Sequence, residues 1–386
     1  MQMCEFDIAE FLRGYWQKKP LLIRNPWKEW SNPLEPDELA GLACEDDVES
    51  RLVTQPNAQW ELEHGPLPTG RFSQLGREPW TLLVQAVDHH VPAVAALLES
   101  FRFIPNWRVE DVMVSYAVDG GGVGPHFDQY DVFLVQGLGK RRWQLGGLCG
   151  DDAELLPHGD LRLLANFQPT DEWILEPGDI LYVPPRYAHN GIAVGNDCMT
   201  YSIGFRAPSR GELIGNWAEN LCGELGDDDR YADPDLSAPE NPGEISPAAL
   251  RELQGMIAER VLDSGAFMRW FGRYTTAPKS PETDWRPEEP AGAEDVYLCL
   301  SGNVPLIRNP ASRVAFVRQT QSSVLLFVDG RCFPCAGDVA AFAERLCAES
   351  RFVVSPDCTG SQAMVDLIVE LFNQGSLAFD LEEQEG

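Results

Sequence analysis

Histidine is scarce in this chain: six residues among 386, with none beyond His189. A metal centre has few imidazoles to draw on, so a histidine in a chemically loaded setting carries extra weight. Basic residues are also few, 30 Lys and Arg against 60 Asp and Glu, for a formal charge of −30. That balance repels nucleic acid and anionic membranes, and a basic partner is its natural complement. Solubility or adaptation to salt explains the same charge equally well. No apolar run reaches the roughly 18 residues of a membrane span. The opening Met1-Gln-Met-Cys-Glu-Phe-Asp7 lacks the basic and apolar regions of a signal peptide. The expectation is a soluble, cytosolic protein. The ten cysteines, Cys4 to Cys358, are scattered through a large chain, as suits reduced thiols better than a disulfide framework. Cys332-Phe-Pro-Cys335 is the one close pair, and without nearby histidines it reads as two ordinary thiols beside a turn.

What is present changes character along the chain. Helical spacing marks Phe6 to Lys19, Pro36 to Cys44 and Pro92 to Ser100. From Val112 short β-rich runs take over: 112–118, 131–136, 142–145, 180–183 and 199–205, separated by Gly/Pro/Asp turns. Many short strands at close spacing fit a double-stranded β-helix, the jelly roll of cupins. Gly211 to Leu225 and Pro247 to Phe271 read as two helices around an acidic loop, a spacer or dimerisation element. Thr276 to Glu294, rich in Pro, Glu and Ala, reads as a linker. The last unit combines a hairpin at 324–333 with helices at 338–349 and 361–374, in the manner of a winged helix. The expected division is a catalytic unit over 1–208, a helical dimerisation region over 209–275, a linker over 276–294 and a winged-helix-like unit over 295–386. The fold class is α+β.

The chemistry concentrates in Gly120-Gly-Gly-Val-Gly-Pro-His126-Phe-Asp128. His126 and Asp128 are two apart, so on an extended segment both face the same side. A third ligand is at hand in Leu175-Glu-Pro-Gly-Asp-Ile-Leu-Tyr-Val-Pro-Pro-Arg-Tyr-Ala-His189, where a Pro-Gly turn launches a strand and Pro-Pro steers the chain back. Two histidines and a carboxylate make the facial triad of non-haem Fe(II) oxygenases, which leaves three adjacent positions for a 2-oxo acid and O2. A structural zinc would want thiolates, and no cysteine adjoins these residues. A lone His-x-Asp is more often a surface or capping feature; the downstream His189 motif makes it specific. The co-substrate's far carboxylate needs a buried cation. If 131–136 and 142–145 form a hairpin around Gly137-Leu-Gly139, Arg141 can point inward while Lys140 and Arg142 point out. Ser115 is a candidate hydroxyl donor to the same carboxylate. His64, His89, His90 and His158 lack such context, and His89-His90 reads as a helix-end or surface pair. The eleven tryptophans read as core rather than binding platforms.

His126-Phe-Asp-Gln-Tyr-Asp-Val-Phe-Leu-Val-Gln-Gly-Leu-Gly-Lys-Arg-Arg-Trp143 resembles the signature of the bacterial ribosomal oxygenases, JmjC/cupin enzymes that 3-hydroxylate an arginine of large-subunit ribosomal protein L-sixteen. Tyr15 to Arg24, Pro177 to Gly191 and Tyr201 to Pro208 are similar to that family as well, so the likeness spans roughly residues 1 to 220. The resemblance implies His126, Asp128 and His189 as ligands of Fe(II), Arg141 as partner of 2-oxoglutarate, a helical dimerisation region, a homodimer, and a winged helix that does not read DNA. Hydroxylation then accompanies oxidative decarboxylation of 2-oxoglutarate with O2. An arginine substrate would want acidic and aromatic neighbours, and Asp119, Tyr130 and Asp131 lie beside the metal strand in sequence. The motifs leave the acceptor open: a histidine of another ribosomal protein, demethylation of lysine or arginine, or a non-catalytic cupin that only binds.

Overall fold

The computed structural model describes residues 3–4, 6–76, 78–354 and 361–381; Cys358 lies outside them. Its first half carries strands β1 (Leu21–Ile23), β2 (Ser50–Thr54), β3 (Glu61–His64), β4 (Trp80–Val84), β5 (Val109–Ala117), β6 (Asp131–Leu148), β7 (Asp171–Leu175), β8 (Ile180–Val183) and β9 (Tyr187–Phe205), with helices α1 (Ile8–Gly14), α2 (Pro36–Leu42), α3 (Val87–His90) and α4 (Pro92–Ala95). The strands form one sheet in the order β1-β8-β6-β9-β5-β4-β2-β3, with β7 also on β6. Both faces of its middle are buried. Phe133, Val135, Ile180 and Tyr182 pack with Phe11, Leu39 and Phe101 from the N-terminal elements. Their strand neighbours Val132, Leu134, Leu181 and Val183 pack on the other face with Trp143 and Leu145. Alternate residues to opposite faces, both apolar, is why Ile180-Leu-Tyr-Val183 reads as an unbroken apolar run.

The first helix is shorter than its spacing predicts. Asp7 caps it by accepting from the Glu10 N–H at 2.9 Å, but tertiary bonds take over beyond Gly14. The Gln17 N–H donates to Tyr182 Oη at 2.7 Å, and its side chain donates to Asp131 at 2.8 Å. The expected 131–145 hairpin is also corrected, because β6 runs straight through Gly137-Leu-Gly139 as one strand of 18 residues. These glycines form an irregularity instead of a turn. The register with β9 jumps from Gln136↔Thr200 to Leu138↔Met199 and then to Lys140↔Val194. Gly139 sits at φ +58° with the Asp197 carbonyl oxygen 2.6 Å from where a Cβ would lie. A bulge shifts side-chain parity by one. Val132 and Leu134 before it, and Trp143 and Leu145 after it, therefore share one buried cluster.

The second half contains α5 (Arg210–Glu224), α6 (Pro247–Val261), α7 (Ser264–Thr276), α8 (Ala293–Ser301), β10 (Leu306–Arg308), β11 (Val314–Thr320), β12 (Ser323–Val328), β13 (Arg331–Ala336), α9 (Asp338–Ala348), β14 (Arg351–Phe352), α10 (Gln362–Asn373) and β15 (Leu377–Phe379). The helix expected over 247–271 is two, because Asp263 caps a new start by accepting from the Ala266 N–H at 2.9 Å. α7 packs on the sheet β11-β12-β13, where Gly272 lies directly against the Phe327 ring. Arg102 and Asn106 of the first half donate to the Ala348 and Cys347 carbonyls at the end of α9. These are carbonyls that a helix leaves unpaired.

Candidate metal and co-substrate site

The glycine-rich segment after β5 runs antiparallel to the first half of β9. The Gly120 N–H donates to the Ala193 carbonyl at 3.0 Å, and His126 and His189 exchange backbone bonds of 3.0 and 2.8 Å. That pairing sets the two imidazoles side by side, ring centroids 4.3 Å apart. Asp128, two residues further, brings Oδ2 to 3.5 Å from His189 Nε2. One ligand atom from each of His126, Asp128 and His189 lies within 4.8 Å of the others. No other histidine, cysteine and carboxylate group with such geometry occurs among the described residues.

Both rings are held from behind. His126 Nδ1 lies 2.9 Å from the Gly124 carbonyl and His189 Nδ1 2.9 Å from the Tyr187 carbonyl. A carbonyl only accepts, so Nδ1 carries the proton and each Nε2 lone pair is left for a metal. Burial lowers the His189 pKa and the neighbouring His126 acts in the same direction, favouring the neutral ligand form. The donor set, two neutral imidazoles and one carboxylate on one side, fits Fe(II) with open positions.

Arg141 is 3% exposed, and its Nε and Nη2 have no hydrogen-bond partner. Its guanidinium lies 5.7 Å from the Trp143 ring centre, and that ring lies 5.9 Å from the His189 ring. Leaving a buried guanidinium unbonded is costly. A ligand carboxylate would satisfy it, which is the fit required of 2-oxoglutarate. Lys140 points outward to Glu176, as expected. Arg142 is half-buried rather than fully outward. Ser115 is buried on β5 opposite Thr200, and its hydroxyl makes only a long 3.5 Å contact to the Thr200 carbonyl. Trp143 fills the space above Gly191, where a Cβ would lie 2.6 Å from the ring; Gly122 in turn approaches the Gly191 carbonyl closely.

The three proposed substrate contacts separate. Tyr130 is half-exposed beside Asp128, to which it is hydrogen-bonded, and burial and then the Asp128 carboxylate raise its pKa. Asp131 is fully buried on the opposite face. It accepts from Tyr182 Oη at 2.6 Å, Gln17 Nε2 at 2.8 Å and Arg108 at 3.2 Å, which leaves no room for a substrate. Strand parity is the reason, since residues 131, 133 and 135 face the N-terminal core. Asp119 is exposed and caps a turn by accepting from the Gly195 N–H at 2.7 Å. Gly195 is six residues from His189 along β9, roughly 20 Å at about 3.3 Å per residue, so Asp119 is far from the metal ligands. Among the other histidines, His158 staples a loop to the Trp60 carbonyl. His90 is half-exposed at the end of α3, but His89 is buried and not a surface residue.

A cavity of about 610 Å³ opens at Tyr130, the hydrogen-bond partner of Asp128, walled by Met113 and Ser202, by Glu110, Asp111 and Glu212, and by Trp107, Phe271 and Tyr274. Sequence reasoning missed Glu110 and Asp111, which lie in β5 between Val109 and Val112 without any local motif. Trp107 is a wall of this cavity rather than plain core.

A JmjC domain family model matches residues 96–213, and a ROXA-like winged helix model matches residues 259–378. The chain is 40% identical to the ribosomal protein uL16 3-hydroxylase of Escherichia coli (strain K12), over 79% of this chain and 81% of that one. It belongs to the JmjC ribosomal oxygenase family. The solved structure of E. coli ycfD, a member of this ribosomal oxygenase family, superposes with a TM-score of 0.88 at 34% identity, covering 98% of this chain and 100% of the other. A further structure, E. coli YcfD in complex with cobalt and 2-oxoglutarate, gives a TM-score of 0.85 at 34% identity, covering 98% and 99%. The jelly-roll oxygenase core and the winged helix expected from the sequence are thereby both established. The winged-helix match begins at residue 259, inside the region expected to serve dimerisation, in keeping with α7 packing on the C-terminal sheet.

Proposed function

We propose that this protein is an Fe(II)- and 2-oxoglutarate-dependent hydroxylase that adds one oxygen to an arginine side chain of large-subunit ribosomal protein uL16. The observation that carries the reading is the buried Arg141, with unmade hydrogen bonds near a His/Asp/His triad. His126, Asp128 and His189 hold the metal; Arg141, with Ser115, takes the far carboxylate of the 2-oxo acid. The chemistry supplied with iron, 2-oxoglutarate and O2 is oxidative decarboxylation to succinate and CO2 coupled to hydroxylation. The chain's own part is positioning. The Gly124 and Tyr187 carbonyls fix the two imidazole tautomers, Tyr130 orients Asp128, and the Trp143 ring shields the site from water. The cavity beyond Tyr130, with carboxylates and aromatic rings in its wall, suits a guanidinium on an aliphatic stem.

We further assign catalysis to 1–208, self-association to the α5–α6 part of 209–275, and the winged-helix unit to 295–386, to which α7 and the connecting segment 276–294 are joined. A net charge of −30 supports a basic protein partner over DNA. The test is incubation with Fe(II), 2-oxoglutarate, ascorbate and a uL16 fragment, followed by mass spectrometry. A gain of one oxygen on arginine, lost in His126→Ala, is expected. Succinate release without an oxidised arginine would reject the acceptor, and no 2-oxoglutarate turnover would reject the enzyme.

A further inference from the structure

Asp111 is the most buried carboxylate in the cavity lined by Tyr130, 2% exposed at the start of β5. Gln85 Nε2 donates to both its oxygens, at 3.2 and 2.9 Å, and the ammonium of Lys279 pairs with Oδ2. Lys279 comes from the segment between α7 and α8, and it does not itself line the cavity. The neighbouring Glu110 is served separately, by Arg206 at 2.9 Å and by Arg313 of the winged-helix unit at 3.1 Å, with Lys279 at a marginal 4.0 Å. Lys279 is thus the cation in direct contact with Asp111.

We propose that Lys279 is a positioning residue for the acceptor pocket: from behind the wall it holds the Asp111 carboxylate in place, aimed at the basic side chain of the substrate. This rests on the arginine-hydroxylase reading above. The need for such a cation comes from Asp88 on α3, a second buried carboxylate that accepts from the Val112 N–H at 2.8 Å. Burial and then the charge of Asp111 raise the Asp88 pKa to about 7. Two buried carboxylates this close share a proton unless a cation intervenes. His89, also on α3, cannot serve, since burial lowers its pKa to about 4 and leaves it neutral. The other charged or titratable groups around Asp111 are Glu110 on its own strand, Tyr130 before β6, Arg206 after β9 and Arg51, which is bonded to Gln85. Of the cations, Arg206 is paired with Glu110. Without Lys279 the two carboxylates lose the cation paired with them, and Asp111 is no longer held as the counter-charge of a substrate guanidinium.

An opposite effect is conceivable physically, because Lys279 could compete with the guanidinium for Asp111. The burial of the carboxylate decides for the first, since an uncompensated buried charge is lost to protonation before it can bind anything. The test uses the Fe(II)-loaded full chain and a uL16 fragment, with kcat and KM measured between about pH 6.5 and about pH 8.5 for wild type, Lys279→Met, Lys279→Gln and Lys279→Arg. The methionine and glutamine variants should raise the fragment's KM about tenfold at the lower pH and less at the higher. Their kcat and their KM for 2-oxoglutarate should stay within about twofold of wild type, and arginine should restore the KM. Asp88→Asn in the Lys279→Met background should recover part of the loss, which a merely structural lysine would not predict. An unchanged or lower fragment KM in both neutral variants overturns the proposal while leaving the enzyme reading intact. A wild-type protein that leaves the fragment unmodified overturns the enzyme reading, and this proposal with it.

Discussion

At Arg141 a guanidinium is out of water and next to an indole, with two nitrogens unbonded. Such an arrangement is stable only if a ligand completes it. Arg141→Met should therefore raise the KM for 2-oxoglutarate about 100-fold, on the order of 3 kcal/mol, with metal affinity unchanged. Lysine should recover only part, because it lacks the planar fork; initial rates of succinate release measure both. Asp131 makes the contrasting case. Its three donors, Gln17, Tyr182 and Arg108, tie the N-terminal segment, β8 and the residue before β5 to β6, so Asp131→Asn should lower stability by about 2–4 kcal/mol without changing acceptor KM. An altered acceptor KM with unchanged stability would return Asp131 to the substrate. Asp88 gives a pH dependence whose sign can be worked out. Its folded pKa of about 7 lies above the ordinary 3.8, so the native state binds the extra proton. Stability contributed there is complete below about pH 4 and declines as pH rises towards 7. Asp88→Asn should abolish that decline, gaining at most about 4 kcal/mol over wild type at pH ~8 and nothing at pH ~4. Urea midpoints at the two pH values check it.

At the scale of elements, the site depends on two long strands whose side-chain parity is reset midway. The triad was legible because its cues are local: a His-x-Asp spacing, a Pro-Gly launch and a Pro-Pro bend in a histidine-poor chain. The inward side of Arg141 was inferred through a hairpin that does not exist. Gly137-Leu-Gly139 has the composition of a turn, but β9 supplies a partner on both sides of it, and that pairing is not visible locally. The same limit hid Glu110 and Asp111, and it misplaced Asp119 and Asp131, whose nearness to His126 in sequence says nothing about which face or end of the sheet they occupy. Gly191 was quoted as motif, and its physical role is room for Trp143. Gly191→Ala should push that ring toward His189 and Arg141, costing about 1–3 kcal/mol of stability and raising the KM for 2-oxoglutarate. Unaltered kinetics and unfolding would show that the ring yields freely.

For the whole molecule, the feature whose apolar side is left uncovered among the described residues is α6. None of its 15 residues is buried, yet Leu250, Leu253, Ile257 and Val261 recur at helical spacing, with Ile257 65% exposed. An isolated helix of this length is marginal in water, so its order needs a surface to cover the stripe. The acidic residues around it, Glu252 and Glu259 on α6 itself and Asp227 to Asp229 in the preceding loop, outnumber Arg230, Arg251 and Arg260 and make an acidic partner unfavourable, and the proposed basic substrate is assigned to the cavity lined by Tyr130 instead. A second copy presenting the same stripe across a two-fold axis resolves both points, since the contact is then apolar at its centre with the charges at its rim. Wild-type protein should therefore elute with twice the 42.9 kDa chain mass. Ile257→Glu puts a like pair of charges at the centre of that contact and should give monomers by light scattering. Because the stripe is remote in the chain from the metal ligands, the monomer should still release succinate from 2-oxoglutarate. A wild-type monomer, or an Ile257→Glu protein that remains dimeric, would assign the stripe to some other surface.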